Sequence, residues 1–172
     1  MAESVLKGKR MLAVDDEPDI LEILGEELDK YGVNLDTAQS YEIGIQKLSS
    51  YTYDLVILDI MGVRGFELLM FATSRDLPVV MLTAHALSPE ALKKSIELGA
   101  RAYVPKDEID NIAPFLEDVL NLSYESAWKS LFTKLGSLFG KHFGPEWRKS
   151  EQQFWSEFEK RLQVERSSII QS

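Results

Sequence analysis

The 172-residue sequence contains no cysteine and only two histidines. Without cysteine, the chain has no disulfide, no thiolate zinc site and no cysteine nucleophile. The two histidines do not have the spacing of a metal-binding pair. No apolar run reaches the ~18 residues of a membrane span, and residues 1–10 show no apolar core of a signal peptide. We therefore expect a cytoplasmic protein with no membrane partner.

Charge and aromatic residues are unevenly distributed along the chain. The formal net charge is −9; residues 1–122 carry 11 basic and 22 acidic side chains, and residues 123–172 carry 8 basic and 6 acidic ones. All three tryptophans and five of the eight phenylalanines lie in the second segment. This contrast predicts two units, 1–122 and 123–172. The acidity of the first argues against nucleic-acid binding there.

In the first unit, short apolar runs alternate with helical patterns. Strand-like runs occupy residues 10–14, 33–38, 54–59, 78–82 and 102–104. Four consecutive branched apolar residues in the third run indicate a strand covered on both faces, as in a parallel sheet. Five strand–helix repeats predict an α/β fold, namely a flavodoxin-like, doubly wound (βα)5 parallel sheet.

Polar side chains stand where four of these strands end: Asp15, Asp16, Asp59, Thr83 and Lys106. The carboxyl ends of parallel strands form the functional crevice of such sheets. Nearby carboxylates need a counter-charge, which Mg²⁺ supplies through oxygen ligands. A carboxylate can also attack phosphorus, and the transferring phosphoryl group then needs cationic and hydroxyl donors around it. The pattern predicts phosphoryl acceptance on Asp59, with Asp15 and Asp16 at the metal.

Four motifs in this order resemble the receiver domain of bacterial two-component response regulators. They are Val-Asp-Asp-Glu-Pro at 14–18, Leu-Val-Ile-Leu-Asp at 55–59, Met-Leu-Thr-Ala at 81–84 and Tyr-Val-Pro-Lys at 103–106. The resemblance covers roughly residues 8–122. It implies a signalling protein that is phosphorylated by a sensor histidine kinase and catalyses only its own phosphorylation and dephosphorylation, rather than a metabolic enzyme.

The resemblance also implies a role for each matching residue. Asp59 would be the phosphoacceptor, and it would ligate Mg²⁺ together with Asp16 and the main-chain carbonyl of Met61, while Asp15 would act through water. Three further residues, Thr83, Ala84 and Lys106, would bind the phosphoryl group. Thr83 and Tyr103 would form a switch that alters the face made by the fourth helix, fifth strand and fifth helix.

The segment after Asp59 departs from the family pattern. Gly65 follows six residues after Asp59, so the loop is two residues shorter than usual. Met61 and His85 occupy the two variable positions that tune loss of the phosphoryl group, and an apolar Met61 predicts slow autodephosphorylation. A Mg²⁺-dependent phosphohydrolase of the haloacid-dehalogenase type is the alternative class, although it would need an aspartate at Met61.

The last fifty residues predict a hairpin of two amphipathic helices, at about 123–140 and 146–166. The apolar stripes comprise Trp128, Leu131, Phe132, Leu135, Phe139, Trp147, Phe154, Trp155 and Phe158. Two helices are too few for an independent core, so the stripes must be buried against something.

Three alternatives are open for what covers the stripes: the first unit, a second copy, or another partner. We predict that these residues form the surface of a homodimer. A DNA-binding transcriptional regulator is the less favoured alternative. The net charge of residues 123–172 is only +2, which would attract DNA phosphates weakly, and no helix-turn-helix is recognisable.

Overall fold

The computed structural model describes residues 3–84 and 88–171, with side chains described except at 150 and 164–171. Its five strands are β1 (Arg10–Val14), β2 (Asn34–Ala38), β3 (Leu55–Asp59), β4 (Val79–Thr83) and β5 (Ala102–Pro105). All neighbouring strands are parallel, in the order β2-β1-β3-β4-β5. The predicted (βα)5 fold is confirmed.

Seven α-helices accompany the sheet in the described residues. They are α1 (Pro18–Asp29), α2 (Tyr41–Ser50), α3 (Gly65–Ser74), α4 (Pro89–Glu97), α5 (Ile112–Asn121), α6 (Tyr124–Phe143) and α7 (Gln152–Gln171). Short 3₁₀ turns at Lys106–Asn111 and Trp147–Glu151 lead into α5 and α7. Within these ranges, no helix is both long and apolar enough to cross a membrane.

Local sequence signals explain where several elements begin. Proline occupies a first-turn position in α1 and α4, where its missing N–H is tolerated. The side chains of Ser40, Ser88 and Ser123 each accept a hydrogen bond from an amide three residues later, which caps α2, α4 and α6. Every residue of β3 and β4 is buried, as continuous apolar strands between two helical layers require.

The sheet register aligns the ends of the central strands. Asp59 in β3 lies opposite Leu82 in β4, and Thr83 in β4 lies opposite Pro105 in β5. Lys106 follows Pro105 directly. The last residues of β3 and β4 and the first residue after β5 therefore meet at one edge of the sheet.

The C-terminal hairpin, defined as residues 124–171, packs against the first unit. Trp128 is fully buried, and its indole N–H donates to the carbonyl of Ala100, 3.1 Å away, just before β5. Phe139 is also fully buried, with its ring centroid 6.0 Å from that of Tyr103 in β5. Helix α6 thus contacts α5, β5 and α7. It extends to Phe143, three residues beyond the prediction, and ends before Gly144, whose φ is 93°.

This packing covers the aromatic stripes within the single chain, and the prediction that they form the surface for a second copy stays a prediction. Seven of the nine predicted surface side chains are buried within the single chain, and two are partly buried and packed on the same core. The buried ones are Trp128, Leu131, Leu135, Phe139, Trp147, Trp155 and Phe158, and the partly buried ones are Phe132 and Phe154. The first unit itself supplies an apolar face for the hairpin.

Candidate phosphoacceptor site

A cavity of about 140 Å³ lies at the carboxyl edge of the sheet. Its lining includes six of the eight predicted site residues, Asp16, Asp59, Met61, Thr83, Ala84 and Lys106, together with Glu17, Ile60 and Gly62. Asp15 is buried beneath it and Tyr103 lies in β5. Residues that are up to ninety positions apart in sequence therefore share one small polar pocket.

Lys106 is the central cation of this pocket. Its ammonium nitrogen is 2.9 Å from Asp15 Oδ2, 3.2 Å from Asp59 Oδ1 and 3.1 Å from Glu17 Oε1. Burial acts to lower the pKa of Lys106, but the contacts with Asp15, Asp59 and Glu17 outweigh it and raise that pKa. Lys106 therefore carries its positive charge into a site that is largely closed to water.

Asp59 is only 4% exposed. Burial, reinforced by the nearby charge of Asp15, raises the pKa of Asp59 to about 7, although Lys106 acts in the opposite direction. Burial also raises the pKa of Asp15. Among the described residues, the positive charge of Lys106 does not fully offset the burial of the two carboxylates. A further cation beside them would favour their ionised forms.

Three adjacent acidic residues offer such a cation its ligands. One oxygen from each of Asp15, Asp16 and Glu17 lies within 4.8 Å of the others. Asp15 Oδ2 is buried and faces the Lys106 ammonium at 2.9 Å, yet burial still raises the pKa of Asp15. Glu17 also fixes Asp15, because its amide donates to Asp15 Oδ1 at 2.9 Å. This oxygen-only donor set fits a hard divalent cation such as Mg²⁺.

Glu17 was not among the predicted site residues. Its side chain joins the acidic cluster and pairs with Lys106. The available signal was the unbroken Asp-Asp-Glu run after β1. That run is equally typical of an acidic helix start, so sequence alone does not assign the third carboxylate to the site.

The short loop after Asp59 requires glycine at two positions. A Cβ atom on Gly62, whose φ is 82°, would lie 2.4 Å from Asp16 Oδ2, and one on Gly65 would lie 2.1 Å from the carbonyl oxygen of Asp59. Arg64 between them also adopts a left-handed conformation, with φ of 54°. The loop thereby turns into α3 while it stays close to Asp16. Met61 is 60% exposed at its tip.

Thr83 and Tyr103 connect the pocket with the hairpin side of the sheet. Thr83 is 1% exposed, and its hydroxyl makes no regular hydrogen bond among the described residues, although it lies close enough to the Tyr103 hydroxyl to act on the pKa of that residue. Burial raises the pKa of Tyr103 to about 12, against the effects of the Ser88 amide and the Thr83 hydroxyl. The Ser88 amide donates to the Tyr103 hydroxyl at 3.4 Å. His85, predicted to tune phosphoryl loss, lies outside the described residues.

The sequence profile of the response regulator receiver domain matches residues 11–114. The chain belongs to this family. The receiver domain of NtrX from Brucella abortus is 30% identical, with a TM-score of 0.59 over 66% of this chain and 99% of that one. The response regulator TrrA from Thermotoga maritima, solved in complex with Mg²⁺-BeF, is 38% identical, with a TM-score of 0.57 over 65% of this chain and 99% of that one.

Curated relatives are longer than this chain. A two-component response regulator from Arabidopsis thaliana is 34% identical over 114 residues, which are 61% of this chain and 20% of that protein. The phosphate regulon transcriptional regulatory protein PhoB from Klebsiella pneumoniae is 33% identical over 105 residues, which are 58% of this chain and 45% of that protein. The chain therefore spans less than half the length of these relatives, and the similarity concerns the receiver domain.

Proposed function

We propose that this chain accepts a phosphoryl group on Asp59 from a sensor histidine kinase, and that Mg²⁺ is required. The observation that carries the proposal is one small cavity in which Asp59, Lys106 and the Thr83 hydroxyl meet beside the acidic cluster. A buried carboxylate beside a fixed cation and a buried hydroxyl suits phosphoryl transfer, because each group has a task when charge develops on the phosphoryl oxygens.

In the proposed step, a carboxylate oxygen of Asp59 attacks phosphorus. The new P–O bond forms as the P–N bond of the donor phosphohistidine breaks, and the released imidazole nitrogen takes up a proton from solvent. Lys106 pairs with one phosphoryl oxygen, the Thr83 hydroxyl donates to another, and the Ala84 amide lines the same cavity. Mg²⁺, held by Asp15, Asp16, Asp59 and the Met61 carbonyl, would neutralise negative charge, and Glu17 is a further candidate ligand.

The remaining predictions from the sequence fit this proposal. We propose a receiver unit over residues 1–122 and a helical extension over residues 123–172 that contains the hairpin, acting together as a cytoplasmic signalling protein rather than as a metabolic enzyme. Slow autodephosphorylation follows from Met61, whose apolar side chain cannot orient an attacking water. The same residue disfavours the phosphohydrolase alternative, because no carboxylate stands there to protonate a leaving group.

A DNA-binding role for the hairpin has less support. Some relatives are named transcriptional regulators, but the match to them lies in the receiver domain. Four basic hairpin side chains are already engaged within the chain: Lys134 pairs with Asp118, Arg148 with Glu159, Lys149 with Glu146 and Arg161 with Glu125. Paired cations contribute little to a surface that must attract phosphates.

The test is incubation with acetyl phosphate and Mg²⁺, followed by intact-mass spectrometry. We expect one phosphoryl group on the wild type and none on Asp59→Asn. Asp19→Asn, an exposed aspartate in α1, is the matched control and should behave as the wild type. Absence of a phosphorylated wild-type species would refute the proposal. Rapid, repeated release of phosphate without an accumulated phosphoprotein would instead support the phosphohydrolase.

A further inference from the structure

We infer that the cavity between α6 and α7 of the hairpin is a binding site for a small aromatic carboxylate. This cavity has a volume of about 230 Å³, and all of its described lining residues belong to the hairpin. It shares none of them with the phosphoacceptor pocket, so the inference goes beyond the proposed function and does not rest on it. Four features of the cavity carry the inference: its apolar wall, its size, a buried indole N–H and a charged rim.

The wall of the cavity consists of apolar side chains from both helices. Phe132 belongs to α6, whereas Trp155, Phe158 and Leu162 belong to α7, where spacings of three and four residues place them on one helix face. The ring centroid of Phe132 lies 6.4 Å from that of Trp155 and 6.1 Å from that of Phe158, both in edge-to-face arrangements. Such a wall suits a flat aromatic body, because aromatic rings prefer edge-to-face and offset contacts.

The volume of the cavity limits the size of its ligand. An apolar cavity of ~150 Å³ accepts benzene. A volume of about 230 Å³ therefore has room for one bicyclic ring system, or for a single ring with a short polar substituent. A partner protein could place no more than one side chain in this space, so the cavity by itself favours a small molecule over a folded partner.

A buried hydrogen-bond donor stands at the wall of the cavity. Trp155 is 3% exposed, and its indole nitrogen is buried with no hydrogen-bond partner among the described residues. The indole N–H of Trp128, by contrast, donates to the carbonyl of Ala100. A buried donor that lacks an acceptor destabilises a fold, and such groups are rare in native proteins. The Trp155 N–H therefore indicates a ligand that supplies an oxygen acceptor.

The rim of the cavity carries three charged side chains, and one positive charge among them is unbalanced. Arg148 pairs with Glu159 and lies over the ring of Phe132, 5.8 Å from its centroid. Lys129 of α6 is half-buried and pairs with no carboxylate among the described residues. Because the charges of Arg148 and Glu159 offset each other, Lys129 is left to balance one negative charge. A carboxylate supplies that charge, whereas a doubly charged phosphate group would exceed it and would be repelled by Glu159.

These features together define the ligand class. The flat ring packs against Phe132 and Phe158, the carboxylate pairs with Lys129, and an oxygen acceptor receives the Trp155 N–H. One aromatic carboxylate supplies all three groups. Because the cavity lies between the two helices, a bound ligand also stabilises the packing of α7 on α6.

The experiment titrates 2-naphthoate into the full, unphosphorylated chain. Binding is followed by isothermal titration calorimetry and by the indole N–H resonances of the three tryptophans in a ¹⁵N-correlated NMR spectrum, in which Trp155→Phe assigns the Trp155 resonance. We expect one site per chain and a larger shift of the Trp155 resonance than of the Trp128 resonance. The uncharged 2-naphthalenemethanol has the same ring system and should bind about tenfold more weakly.

Two matched variants test the role of Lys129. Lys129→Gln should weaken 2-naphthoate binding by about tenfold, because the carboxylate loses its charged partner. Lys141→Gln, the same change at an exposed position of α6 away from the cavity, should bind 2-naphthoate as the wild type does. Both variants should keep the wild-type circular dichroism spectrum. Equal affinities of the two variants would overturn the inference.

The other outcomes distinguish between occupants and between this inference and the proposed function. No heat of binding and no shift of the Trp155 resonance at millimolar 2-naphthoate would refute the inference. A Trp155 resonance that moves with protein concentration instead would assign the cavity to a second copy of the chain, and it would equally overturn the inference. Asp59→Asn should bind 2-naphthoate as the wild type does, so a failure here leaves the proposed function unaffected.

Discussion

Replacing Phe139 with alanine should lower the free energy of unfolding by about 3 to 5 kcal/mol. The side chain is fully buried. Its ring centroid lies 6.0 Å from that of Tyr103, 5.5 Å from that of Phe143 and 6.5 Å from that of Trp147. Phe-to-Ala changes in cores cost about this much, because apolar burial is lost and a cavity remains. The cavity would lie between β5, α6 and the turn before α7. Because these elements are held in place by their other contacts, we expect them to move little to fill it.

The assay is urea unfolding followed by both circular dichroism and tryptophan fluorescence. Leu122→Ala, at a 39% exposed position between α5 and α6, is the control and should change stability by less than about 0.5 kcal/mol. A loss below about 1 kcal/mol for Phe139→Ala would refute the buried hairpin. A midpoint that rises with protein concentration would indicate a dimer contribution instead.

Three further changes have defined outcomes. Gly62→Ala should weaken Mg²⁺-dependent beryllofluoride binding at least tenfold in a titration while the far-ultraviolet spectrum is unchanged, because its Cβ would lie 2.4 Å from Asp16 Oδ2. Trp128→Phe should cost about 1 to 2 kcal/mol in urea unfolding, since the carbonyl of Ala100 loses its donor; an unchanged midpoint would contradict the bond. Burial raises the pKa of Asp59 to about 7, above its unfolded value, so its ionised form destabilises the fold. Asp59→Asn in EDTA should therefore gain stability at pH 8, by at most about 4 kcal/mol, and the gain should vanish near pH 4; a loss of stability at pH 8 would contradict this.

The fold was predictable because local and global signals agree. The apolar run that ends at Asp59 has the length and branched residues of a strand covered on both faces, and Pro18 and Ser40 mark helix starts at the expected places. Parallel strands bring their carboxyl ends together, so listing the polar residues that end strands located most of the pocket. Lys106 illustrates this, since its place beside Asp59 follows from topology alone.

The hairpin shows what such signals do not contain. A stripe such as Trp128 to Phe139 predicts that one helix face is buried, but it carries no information about the covering surface. That choice depends on complementarity with α4, β5 and α5, for example the Ala100 carbonyl that meets the Trp128 indole. Close approaches between residues distant in sequence cannot be predicted from the sequence either. Position 62 must be glycine because the Asp16 carboxylate lies against it, and this contact is evident only in the structure.

Chemical trapping of the phosphorylated side chain can establish whether Asp59 accepts a phosphoryl group. After incubation with acetyl phosphate and Mg²⁺, borohydride reduction converts an aspartyl phosphate to homoserine, which peptide mass spectrometry locates. We expect homoserine at position 59 and nowhere else. Homoserine at Asp15 or Asp16, or its absence from every peptide, would contradict this expectation.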